Sequence, residues 1–164
     1  MILSGGLRWI SDPTTRYLYS LITGVIVAVE MYGEHTFVLP LSMVLGAYLI
    51  MVLTPRVHCN KIVIAYIAIH FSAQSIWKIV NNYEQNRDFV IPSMIIVQKL
   101  WRFSCIYRDG DPSIKDETLN SYQVAHKLKQ MPSLLEFFSY CFSIQSALFG
   151  PNFCFTAYKD FIEF

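Results

Sequence analysis

MPSLLEFFSYCFSIQSALFGPNFCFTAYKDFIEF, residues 131–164, decides how the rest of the chain is read. Pro132 can open a helix, because a first-turn N–H has no intrahelical partner to lose. Residues 133–149 are then almost wholly apolar and aromatic, with Glu136 near one end. Gly150-Pro151 stops the helix, since proline cannot continue it and glycine tolerates the turn. Tyr158-Lys159-Asp160-Phe161 follows as an aromatic and charged run suited to a membrane interface. The stretch predicts a loop, a membrane helix over 133–149 and a polar stop.

The composition agrees. Hydrophobic residues make up 54% of the chain against 15% charged, with 12 Phe and 10 Tyr, and the mean hydropathy is positive. That balance predicts an all-α, polytopic membrane helix bundle. Four further spans are expected, over 16–31, 36–53, 62–80 and 89–107, which makes about five. Gly33-Glu34-His35, Thr54-Pro55 and the polar 81–88 segment separate them. Gly46 would permit close helix contact. Arg56 to Lys61 reads as a short basic loop. Residues 108–132 form the one long hydrophilic segment. There Asp111-Pro112 suggests a cap and first helical residue, and Val124, Leu128 and Met131 recur at helical spacing, as in a helix lying on a membrane surface.

A net charge of +1 supplies no basic footprint for nucleic acid. Cys59, Cys105, Cys141 and Cys154 are scattered, without C-x-x-C or zinc spacing, so they read as small buried hydrophobes and no metal is expected. Lys and Arg gather on one side: Arg8, Arg16, Arg56, Lys61, Arg108, Lys115, Lys127 and Lys129. Cytoplasmic loops favour these residues, so the N-terminus, residues 54–61 and residues 108–132 are expected in the cytosol, with 32–35 and 81–88 lumenal.

Two ordered motifs carry a resemblance. The first is Pro132-Ser133-Leu134-Leu135-Glu136, then Ser139-Tyr140, Gly150-Pro151 and aromatics leading to Tyr158. The second, upstream, is Gln98-Lys99-Leu100 followed by Asp109-Gly110. Together they resemble the membrane-bound O-acyltransferase family, in its lysophospholipid branch and most nearly the lysophosphatidylcholine type. The resemblance runs from Thr15 to Phe164 and is sharpest in the last third. Trp101-Arg102 and Arg108 depart from the pattern. The resemblance implies a larger fold of which this chain is an interior part, in the endoplasmic reticulum membrane. It implies transfer of a fatty acyl group from acyl-CoA to a lysophospholipid, with no cofactor beyond that co-substrate. Membrane lipids would surround the protein, and a homodimer is compatible with it. The family's general-base His and its assisting Asn belong C-terminal to the Gly-Pro motif. No histidine follows His126, so both are expected C-terminal to Phe164 and no catalytic residue is carried onto this chain. An acyltransferase for a protein or sterol acceptor, and a non-enzymatic helix bundle or transporter, are the competing readings.

Candidate chamber residues follow from the cost of placing polar groups in a span. Gln98, Lys99 and Arg102 fall on one broad helix face and would suit the phosphates and thioester of acyl-CoA. Alternatively Lys99 and Arg102 reach the cytosolic surface, or pair with Asp109 or Glu136. Glu136 and Tyr140 share a face at four-residue spacing, and Glu136 also suits a helix N-terminus. Asn152, after Gly150-Pro151, would line the cavity or simply form the turn. His70 reads as a neutral histidine hydrogen-bonded to a neighbouring helix.

Overall fold

The computed structural model describes residues 10–33, 36–80, 90–143 and 153–163. Among them all regular structure is helical. Helix α1 spans Pro13–Tyr32, α2 Val38–Leu53, α3 Arg56–Val80 and α4 Val90–Asp109. A 3-10 turn at Asp116–Thr118 precedes α5, Ser121–His126. Helices α6, Leu134–Phe142, and α7, Phe155–Glu163, follow.

Local chemistry sets most of the ends. Asp12 caps α1, accepting from the Thr15 N–H at 3.0 Å, and Pro13 supplies the first turn. Hydrogen bonds from Thr15 also lower the Asp12 carboxyl below its ordinary range. Gly33 ends α1 at φ +83°, where a side chain would be strained. Helix α2 stops at Thr54, ahead of Pro55. Asn120 with Gln123, and Ser133 with Glu136, form reciprocal capping boxes that start α5 and α6.

Helices α3 and α4 pack together, α2 lies against both, and α6 lies against α1. Small residues make the last contact possible. Ser20, Gly24 and Ala28 repeat every fourth position on the buried side of α1, and a Cβ on Gly24 would stand 1.8 Å from the Phe142 carbonyl oxygen. Phe103, Phe137, Tyr140 and Phe155 interlock edge-to-face at the centre, with ring centroids 4.8–5.5 Å apart in the Phe103–Phe137, Phe103–Phe155 and Tyr140–Phe155 pairs.

Arg56, Arg108 and Lys129 come together at one end of the bundle. Arg56 lies 4.6 Å above the Tyr107 ring and donates to the carbonyls of Lys129, at 2.8 Å, and Gly110, at 3.4 Å. The Leu128 N–H donates to Ile106 O at 2.9 Å, folding the hydrophilic segment back over the end of α4. Gly110 leaves room for that approach, since a Cβ would fall 1.7 Å from Leu128 O.

Several expectations are corrected. Arg56 to Lys61 is the first part of α3, because Pro55 O accepts from the N–H groups of His58 and Cys59 and starts the turn. Asp111 does not begin a helix. Its carboxylate accepts from Ser113 N, at 2.8 Å, and Ser113 Oγ, which closes a turn instead, and the helix waits for the Asn120 cap. Leu128 and Met131 lie beyond that helix. Helix α6 ends at Phe142, short of 149; residues 144–152, with Gly150-Pro151, fall outside the described residues. Tyr158 to Phe161 is helical, and Tyr158 is buried in the core.

Among the described residues no helix is long and apolar enough to cross a membrane. The expected spans therefore find no helix that qualifies. The most apolar helix, α2, has only 16 residues. The longer ones carry polar groups along their length: Arg16, Ser20 and Glu30 in α1, Asn60, Lys61 and Gln74 in α3, and Lys99, Arg102 and Arg108 in α4. Their outer faces are nevertheless apolar. Leu18, Ile22 and Ile26 form a half-exposed stripe on α1, and Ile62, Ile69 and Ile76 another on α3.

Candidate functional site

The upstream and downstream motifs meet at Lys99. Its side chain is 1% exposed. The ammonium donates to Tyr140 O at 2.9 Å, Cys141 O at 2.8 Å and Ser143 Oγ at 3.3 Å. The last carbonyls of a helix have no partner within it and carry the negative end of its dipole, so a cation is the natural terminator. Three ammonium hydrogens meet three acceptors. The ammonium also lies 5.5 Å from the centroid of the Tyr140 ring, whose hydroxyl donates to Phe153 O at 2.9 Å. Beside Lys99 is a cavity of about 20 Å³, bordered by Tyr32, Pro92, Ile96, Cys141 and Phe142. It is large enough for about one water and no larger ligand.

The other candidates lie elsewhere. Neighbouring residues on a helix point about 100° apart, so Gln98 faces outward while Lys99 faces the core. Arg102 is half-buried and donates to Tyr122 Oη, its guanidinium 5.6 Å from that ring's centroid. The one broad face expected for Gln98, Lys99 and Arg102 is thus divided between inside and outside. Asp109 pairs with neither Lys99 nor Arg102. It is buried and accepts from Arg108 Nε at 3.0 Å and Gln123 Nε2 at 3.0 Å. Glu136 occupies the capping box at the start of α6, accepting from Ser133 N at 2.7 Å, with Lys159 at 3.4 Å. Tyr140 is buried one turn further on. Asn152 lies outside the described residues.

A second buried chain joins α1, α6 and α7. Tyr158 Oη donates to Ser20 Oγ at 3.0 Å and pairs with Ser139 Oγ. The best-placed residues of the two motifs therefore have mechanical tasks. Lys99 ends α6, Ser133 and Glu136 start it, Ser139 and Tyr158 clamp it to α1, and Asp109-Gly110 closes the hydrophilic segment.

The model of the membrane-bound O-acyltransferase family matches residues 63–164, which hold all of these groups except Ser20. The chain belongs to that family. The match ends at Phe164, as the resemblance does, but begins at residue 63 rather than at Thr15. The chain is 43% identical over 77 residues to lysophospholipid acyltransferase 6 of Drosophila melanogaster, covering 47% of this chain and 10% of the fly protein. It is 41% identical over 81 residues to human membrane-bound glycerophospholipid O-acyltransferase 2, covering 49% of this chain and 15% of that protein. The chicken protein of that name is 27% identical over 158 residues, covering 94% of this chain and 29% of its own length. The chain thus spans less than a third of these curated relatives. No solved structure matches it.

Within this chain, the two motifs alone miss the α1 side of the clamp. The signal was present, since Ser20-x-x-x-Gly24-x-x-x-Ala28 is a run of small residues at helical spacing. Gly46 was found by the same logic. A Cβ there would stand 2.2 Å from Tyr66 Oη, which instead donates to Ser42 O at 3.1 Å.

Proposed function

We propose that the whole protein transfers a fatty acyl group from acyl-CoA to the free hydroxyl of a lysophospholipid, as a multi-pass enzyme of the endoplasmic reticulum membrane. The observation that carries this reading is the family match over residues 63–164, together with relatives named for acylating lysophospholipids and glycerophospholipids. The apolar stripes on α1 and α3 suit lipid contact, and the basic end of the bundle suits the cytosolic side.

This chain supplies architecture to the reaction. A lipid hydroxyl is a poor nucleophile near neutral pH and needs a positioned base, which the family resemblance assigns C-terminal to Gly150-Pro151 and past Phe164. Lys99, Tyr140 and Glu136 fix where α6 begins and ends, and so set the direction from which the chain enters the Gly-Pro segment. Gln98 and Arg102 remain the candidates for meeting acyl-CoA directly.

The test is full-length protein in liposomes, given radiolabelled acyl-CoA and a panel of lysophospholipids. Label should appear in phospholipid and depend on both substrates. Label confined to free fatty acid, or no turnover with any lysophospholipid, would overturn the reading. Acyl transfer to a sterol or a peptide in the same assay would move the protein to another branch.

A further inference from the structure

We propose that Ser42 is an activated nucleophile, with His70 as its base and Gln74 as the group that orients the base. This would be an acyl-accepting site apart from the Lys99 node. It rests on its own geometry and not on the lysophospholipid reading.

Helices α2 and α3 bring the three groups together. Ser42 Oγ lies 3.1 Å from His70 Nε2, and His70 Nδ1 lies 2.9 Å from the Gln74 side-chain amide one turn along α3. Nucleophile, base and orienter in hydrogen-bond series are the recurring arrangement of covalent acyl transfer. The Tyr66 ring packs on His70 at a centroid distance of 5.6 Å and limits its rotation. Ser42 is exposed on the bundle, and His70 is half-buried beside it. Gln74 is 2% exposed, and its Oε1 has no hydrogen-bond partner.

That orphaned oxygen bears on the proton arrangement. A half-turn of the amide keeps the heavy-atom positions and sets Oε1 against the His70 Nδ1–H. The amide N–H groups then take the unpartnered side. Nε2 becomes an acceptor facing Ser42. Ser42 Oγ is also 2.8 Å from Leu39 O, so its single proton can rest on either. With the proton on Nε2, the oxygen can attack an acyl thioester. The Oγ–C bond forms, the C–S bond breaks, and the proton held on His70 passes to the departing thiolate.

The probe is a long-chain alkyl fluorophosphonate, added to the full-length protein in detergent. Attack by Ser42 forms an Oγ–P bond and expels fluoride with the proton, leaving a mass adduct on the peptide that contains Ser42. The adduct should form on wild type and be absent from that peptide in Ser42→Ala. His70→Gln should slow labelling about 10²-fold or more, the scale of a lost general base. His70→Asn serves as a second variant if the first fails to fold. Gln74→Leu should slow it by a smaller factor, since the ring stays while its tautomer is no longer held. Helix content and thermal transition of each variant are compared with wild type. No adduct on Ser42 in folded wild type overturns the proposal, as does labelling at an undiminished rate in a folded His70 variant. Either result would leave Ser42, His70 and Gln74 as a tie between α2 and α3.

Discussion

Two places in the molecule press a glycine against a backbone carbonyl, and they differ in what stands behind the carbonyl. At Gly24 it is Phe142 O, at the end of α6, where Lys99 holds the two preceding carbonyls. At Gly110 it is Leu128 O, in a non-helical stretch after the short α5. The first contact joins two helices inside the core, and neither can move alone. The second joins the end of a helix to a surface segment held by its own caps, by Arg56, and by hydrogen bonds from Leu128 N to Ile106 O and from Gln123 to Asp109. A buried polar group has no water to fall back on, whereas an exposed one exchanges a protein partner for solvent at little net cost. The same local geometry should therefore be far more sensitive to substitution at the α6 end.

The largest effect is expected from Lys99→Met. The apolar stem is kept and the donors vanish, leaving the buried Cys141 carbonyl without its donor and Tyr140 O with only the Ser143 N–H, at 3.4 Å, and hydroxyl, at 3.1 Å. Each charge-assisted hydrogen bond lost is worth about 1.5–3 kcal/mol. Denaturation of the full-length protein in detergent should show the destabilisation. A transition within error of wild type would mean that the ammonium terminates nothing. Gly24→Ala comes next. Its Cβ would stand 1.8 Å from Phe142 O, so α1 and α6 must separate, at about 3 kcal/mol, the upper end for overpacking. Gly110→Ala faces a nominally closer approach, 1.7 Å from Leu128 O, yet should cost only about 1 kcal/mol. Residues 127–131 are partly to fully exposed, so the displacement breaks fewer buried contacts than at α6 and falls at the lower end for overpacking. If Gly110→Ala proves as damaging as Gly24→Ala, the surface segment is as rigid as the core and the contrast fails.

The same difference explains what could be read from sequence. The apolar runs of α1 to α4 were legible, and so were the stops at Gly33 and Pro55, because each is a local signal. The start of α3 was hidden because Arg56 and Lys61 looked like loop residues. Arg56 is accommodated at the helix start by carbonyls at 110 and 129, far along the chain. The end of α6 was hidden for a related reason. Its terminator, Lys99, precedes Tyr140 by 41 residues, and a helix that ends on a distant cation leaves no mark at the place where it ends. Lys99 itself stood out as a charge within an apolar run. Its partners did not, since charges invite a search for opposite charges and Lys99 is met by backbone carbonyls and a hydroxyl. Asp109-Gly110 was legible as a motif but not as a device, because the need for glycine comes from Leu128.

The smallest effect tests the surface region alone. Asp111 accepts from Ser113 N and Oγ, which hold its carboxyl below the ordinary carboxylate range, with Arg56 adding in the same direction. A carboxylate whose folded value lies below its unfolded one contributes stability that is fully present above the unfolded value, about 4. That contribution is lost as pH falls through the folded value. Asp111→Asn keeps an amide oxygen for the same two donors and removes the titration. At pH 7 the variant's turn should open slightly more readily than the wild type's, because the contribution of the charged carboxylate is gone, while the global transition stays the same. As pH falls below about 4, the wild-type Ser113 amide resonance should move as the carboxylate protonates, while the variant's stays in place. The effect should be confined to the turn, because Asp111 makes no contact with the carbonyls that Lys99 holds. A global transition that followed the Asp111 titration would tie the surface segment to the core, and the two regions could no longer be treated separately.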